Sequence, residues 1–106
     1  MDNLLRDLPV RLDEEQFTPL LDRPGARIER IVSTGQATPP GEWLQQPRDE
    51  WVLILQGSAG LLIEGQAEQR LAPGDHLLIE ADRRHRVTWT GADPATVWLA
   101  IHFGRD

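Results

Sequence analysis

The stretch Glu50-Trp51-Val52-Leu53-Ile54-Leu55-Gln56-Gly57-Ser58-Ala59-Gly60-Leu61-Leu62-Ile63 decides the fold. Two apolar runs are split by a Gln-Gly turn, which is the pattern of a β-hairpin. Side chains alternate faces along a strand, so Glu50 shares a face with Val52 and Ile54, while Trp51, Leu53 and Leu55 form the other. Both faces are apolar, and a strand of that kind is covered on both sides. One cover is the interior of the domain. The other is an amino-terminal arm, a second subunit, or both, and this is the sequence argument for a homodimer.

Working outward, the same alternation recurs in short segments. Residues 27–33 read as a strand, 34–41 as a Pro/Gly loop, and 67–71 as a strand entered through Glu64-Gly65-Gln66. Pro73-Gly74-Asp75 turns the chain into 76–79, residues 85–90 alternate cleanly, and 96–103 make a closing strand. Strands of this length and spacing, separated by Gly, Pro and Asp, predict an all-β sandwich or barrel. The start of the chain reads differently. Asp13-Glu14-Glu15-Gln16 has the form of a capping box, with Phe17, Leu20 and Leu21 on one helical face and Arg23-Pro24-Gly25 as the stop. The expected organisation is an arm over residues 1–26 with a short helix around 13–21, followed by a barrel domain over 27–106.

Bulk properties narrow the function. A chain of 106 residues fits one domain. It has no cysteine, which removes disulfides, thiolate nucleophiles and cysteine metal sites and suits the cytoplasm. No secretory signal and no apolar run near the ~20 residues of a membrane span is found. The net charge of −6 without a basic stripe excludes a phosphate-backbone binder, so neither nucleic acid nor membrane is expected as a partner. There is no lysine for Schiff-base chemistry and no nucleophile elbow around Ser58.

Glu50 followed six residues later by Gly57, and Gly74 followed by Glu80-Ala81-Asp82 and then His85, resemble the two motifs of the cupin family. The likeness runs from about Arg27 to Phe103 and implies an antiparallel jelly-roll barrel. It also implies a divalent metal (Zn, Fe, Mn or Ni) held by histidines and one glutamate. The chain departs from that pattern. The two histidines of the first motif fall at Leu44 and Gln46, and the last asparagine of the second at Trp89.

By strand phase Glu50, His85 and Trp89 point inward, and with Gln46 they form the expected ligand pocket. His102 lies on the closing strand, read as neighbour to the His85 strand. Facing inward, it would complete a Gln46, Glu50, His85, His102 metal set; facing outward, it would leave His85 a hydrogen-bonded pocket histidine and no metal. Arg83, Arg84 and Arg86 flank His85 as either a mouth for an anionic ligand or a solvated loop, and His76 reads as a surface residue. Three functions stay open: a small-ligand binder, an acid/base or metal-dependent oxygenase or isomerase, and a structural homodimer.

Overall fold

Eight strands form the described part of the computed structural model, residues 1–104. They are β1 (Gln16–Arg23), β2 (Ala26–Ser33), β3 (Asp49–Gln56), β4 (Ala59–Ile63), β5 (Gln69–Leu71), β6 (His76–Ile79), β7 (His85–Thr90) and β8 (Thr96–Phe103). One sheet runs β1-β2-β8-β3-β6 and the other β5-β4-β7, and every pairing is antiparallel. The sheets face each other across one core. Ile31, Val52, Ile54, Ile79, Trp98 and Ala100 come from the larger sheet, and Ala59, Leu61 and Leu71 from the smaller. Burying one large aliphatic side chain contributes about 1.5–3 kcal/mol, so this seam is the main support of the barrel. No helix among the described residues is long and apolar enough to cross a membrane.

Two expectations are corrected. The helix around residues 13–21 is absent: Gln16–Arg23 is an edge strand, paired with β2. Pro19 explains why, since it would break a helix there yet is tolerated on a sheet edge, where a register shift follows it. The capping box is not used either; Glu15 instead accepts a 2.6 Å hydrogen bond from Ser33 Oγ. Secondly, β3 and β4 are not a hairpin. The Gly57 turn carries the chain from one sheet to the other, so β3 pairs with β6 and β8 while β4 pairs with β5 and β7.

The outer face of the larger sheet is only partly covered. Trp51, Leu53 and Leu55 share it with Ile28, Leu99 and Ile101, all half-buried. Leu78 and Phe103 on the same face are 44% and 38% exposed. The segment ahead of β1 reaches part of this face, because Arg30 donates to the Leu4 carbonyl at 3.2 Å.

The sheet-to-sheet turn makes Gly57 indispensable. Its φ is +82°, and an added Cβ would lie 2.6 Å from Thr96 Oγ1 and 2.7 Å from Thr96 Cα. Gly65 has a similar φ of +86° but nothing within 4 Å. Gly57→Ala is expected to cost about 2–4 kcal/mol, from left-handed strain and overpacking together, and Gly65→Ala only about 1–2 kcal/mol from strain alone. Urea denaturation of the two variants beside the parent measures the difference.

Candidate functional site

Register builds the site. Across the inner face, Asp22 on β1, Arg27 on β2, His102 on β8, Glu50 on β3 and Ile79 on β6 lie in one row. The next row inward is Glu29, Ala100, Val52 and Leu77, and the one beyond it Ile31, Trp98 and Ile54. Polar groups therefore gather at one end of the barrel and give way to apolar ones with depth. From the opposite sheet, β7 supplies His85 and Val87. Leu44 makes an isolated bridge to His85, exchanging backbone hydrogen bonds of 2.7 and 3.0 Å, and this brings the loop carrying Gln46 over the same end.

The cavity at this end of the barrel measures about 280 Å³. Its walls are Ile31, Leu44, Val52, Leu61, Ile79, Val87 and Trp98, and its polar groups include Glu15, Glu29, Gln46, Glu50, His85 and His102. His102 Nε2 is 2.9 Å from Glu29 Oε1 and 3.9 Å from Glu50 Oε2. His85 Nε2 is 3.9 Å from Glu50 Oε1, and His85 Nδ1 lies 3.0 Å from the Arg83 carbonyl. The Gln46 amide donates to Glu50 Oε1 at 2.6 Å. Arg27 adds a 3.4 Å contact to Glu29 Oε2.

These contacts set the charge states. The hydrogen bond from His102 holds the Glu29 carboxyl below its ordinary value against the opposing effect of burial. The same bond raises His102 above the usual imidazole range, with burial again opposing. Burial pushes Glu15 up, only partly countered by the bond from Ser33. Glu29 and His102 thus form a hydrogen-bonded pair facing the cavity, each favouring the charged form of the other.

Gln46, Glu50, His85 and His102 all border this cavity. His102 does so from a different position than its reading as neighbour to the His85 strand, because β8 lies between β2 and β3 in the other sheet. Trp89 lines neither the cavity nor its mouth. The β4–β7 register shifts between Gly60 and Leu61, leaving Thr88 as an extra residue, so Trp89 turns to the outer face beside Gly60, with the Arg70 guanidinium 5.4 Å from its ring. Arg83, Arg84 and Arg86 are no mouth: none of them lines the cavity, Arg84 pairs with Glu64 at 2.9 Å and Arg86 with the Thr38 carbonyl at 3.2 Å.

The four residues expected to share a divalent ion do not fit one. Leu44 has no donor, the Gln46 amide is directed to Glu50 through its N–H, and His102 Nε2 is engaged by Glu29. Among the described residues no three His, Asp or Glu side chains form a group that could hold a metal ion. Sequence reasoning missed Glu29 and Glu15. A signal for Glu29 existed: in a strand with Ile31 inward, strict alternation puts Glu29 and Arg27 on the same face.

The profile of the Cupin domain family matches residues 30–102. The chain is similar to a solved protein of Ralstonia eutropha JMP134, provisionally named a mannose-6-phosphate isomerase, with 51% identity over 97% of this chain and 96% of that one, at a TM-score of 0.94. A cupin superfamily protein of Desulfitobacterium hafniense DCB-2 shares the fold at 22% identity, covering 93% and 84% of the two chains with a TM-score of 0.74. A conserved Streptococcus pyogenes protein of unknown function does so at 22% identity, covering 100% and 88%, with a TM-score of 0.78. No curated protein matches the sequence. On the family profile, the 51% relative and the two-sheet barrel together, the chain belongs to the Cupin domain family.

Proposed function

We propose that the barrel binds a small polyhydroxylated molecule in its interior and shifts protons on it, an isomerase chemistry carried by Glu50, His102 and Glu29. The observation behind this reading is the His102–Glu29 pair at 2.9 Å, set beside Glu50 in a cavity whose deeper walls are apolar. Trp98 lines the same cavity, and its buried indole N–H has no hydrogen-bond partner. The name carried by the Ralstonia relative supports the reaction class.

In an aldose–ketose isomerisation a base takes the proton from the carbon next to the carbonyl while an acid protonates the carbonyl oxygen. The resulting enediol regains the proton at the former carbonyl carbon as the neighbouring hydroxyl gives up its own. Glu50 suits the first role, since the Gln46 amide fixes its orientation. His102 suits the second, since its hydrogen bond to Glu29 raises it above the usual imidazole range and so favours the proton-bearing form. A metal-dependent reading would require Gln46 and His102 to abandon these partners, so the proposal uses the protein's own acid and base. The half-covered outer face of the larger sheet supports a homodimer as the working unit.

Mannose, titrated into the protein with amide shifts followed by NMR, is expected to move signals of cavity residues such as Val52, Leu61 and Val87. Conversion of mannose 6-phosphate to the ketose is expected to fall about 10²–10⁴-fold in Glu50→Gln and His102→Gln. Shifts confined to the outer surface, or conversion unchanged in both variants, sink the reading.

Stability carries a pH signature. The raised His102 contributes fully below its ordinary value of 6.5 and loses this as pH rises through its folded value. The lowered Glu29 contributes fully above 4.5 and loses this as pH falls through its own. The stability difference between parent and His102→Gln is therefore largest between pH 4.5 and 6.5. There it is about 1.5–3 kcal/mol, the value of a hydrogen bond to a charged group. Denaturant titrations across pH 4 to 9 measure it.

Sedimentation equilibrium checks the dimer. The parent is expected to sediment at twice 12.0 kDa, and Trp51→Glu with Leu78→Glu as a monomer. A parent that is monomeric at low micromolar concentration removes the dimer from the proposal.

A further inference from the structure

The barrel cavity adjoins a second, more open outer chamber of about 570 Å³. Phe17, Glu29, Gln46 and His102 belong to both chambers and form the neck between them. Beyond the neck the lining changes character. Apolar walls and carboxylates inside give way to Arg27 and Arg48, with Asp22 and Pro47. Arg27 sits in register with His102 on the inner face, so its guanidinium lies on the path to the proposed acid. It is exposed at the side chain by 46% and spans toward Glu29 with a single 3.4 Å contact, leaving other N–H groups of its fork for a second acceptor.

We infer that the outer chamber seats an anionic group, a phosphate or carboxylate, at the end of the ligand whose remainder enters the barrel, with Arg27 and Arg48 as its recognition residues. The inference rests on the reading that a small ligand occupies the barrel.

Charge and chemistry both point this way. The chain carries −6 net, so an oxyanion meets repulsion over most of the surface, and a mouth lined by two arginines is where it can dock. Arginine presents a planar fork that matches two oxygens of a phosphate or carboxylate at once. Asp22 lies across from Arg27 in register and Glu29 lies below it, so the chamber is mixed rather than uniformly basic. That mixture orients a ligand. An anionic end is drawn to the arginines and turned away from the carboxylates inside, which receive the neutral hydroxyl-bearing end. An inner chamber of about 280 Å³ is near the lower bound of small-molecule pockets, so the anionic group of a longer ligand has to remain in the outer one.

The test is calorimetric titration with mannose, mannose 6-phosphate and mannuronate, at low and at moderate salt, on the parent and on Arg27→Gln/Arg48→Gln. The inference expects at least one of the anionic sugars to bind about tenfold or more tightly than mannose. It expects that advantage to shrink with salt and to be lost in the double variant, whose thermal unfolding confirms that it is folded. The two anionic sugars show whether phosphate or carboxylate is preferred. Equal binding of all three, or an advantage that survives in the double variant, overturns the inference while leaving the barrel reading intact. If none of the sugars binds, inorganic phosphate followed by amide shifts decides. Shifts at residues 27 and 48 that vanish in the double variant keep the anion seat and remove the sugar reading. No shift there overturns the seat.

Discussion

The antiparallel register of β8 between β2 and β3 is the constraint on which the molecule depends. It puts Trp98 between Ile31 and Ile54, Ala100 between Glu29 and Val52, and His102 between Arg27 and Glu50. A slip of β8 by one residue would turn Trp98, Ala100 and His102 to the outer face. The two deeper rows pin the arrangement, since Ile54 and Ala100 are fully buried. The shallow row benefits without contributing much packing of its own. Glu29 and His102 are an acid and a base brought together because apolar residues further down the same strands fix where they stand. Ala100 between them and the core is small, which leaves the cavity its room.

Strand positions were legible in the sequence where apolar alternation was strong. The spans of β4, β6, β7 and β8 coincide with the expected ones, and β2 and β3 differ by a residue at their ends. Pairing was less legible, since turn chemistry at Gln56-Gly57 is equally compatible with a return strand and with a crossing to another sheet. The amino-terminal segment was misread because its capping-box residues and its apolar spacing fit a helix locally. Pro19 and the pairing of Phe17 with Ile31 overrule that local preference. Trp89 was misplaced for another reason. Phase counting assumes an uninterrupted strand, and the extra residue at Thr88 inverts it with no mark in the sequence. Glu50, His85 and Gln46 were legible because they stand at motif positions, whereas Glu29 needed the register with β8 before its partner could be known.

The site shows how a barrel with a divergent motif keeps polar chemistry in its interior. Leu44 removes one donor, and Gln46 spends its amide on Glu50. His102 arrives from a strand outside either motif, and Glu29 meets it at 2.9 Å. The cavity thus holds charge in compensated pairs. An isolated buried charge is costly, while a paired and hydrogen-bonded one is tolerated and polarised toward whatever shares the space.

Pro19, met above only as the reason a helix fails, has a second consequence. The exposed rim of the larger sheet is β1 on one side and the four-residue β6 on the other. A rim strand offers unpaired N–H and C=O groups to any passing chain, which is how sheets polymerise. Proline withholds an N–H in the middle of β1, and the register shift beside it bends the ladder away from a straight template. β6 is too short to offer much of one. Copies of this protein are therefore discouraged from adding edge to edge into open-ended ribbons through either rim.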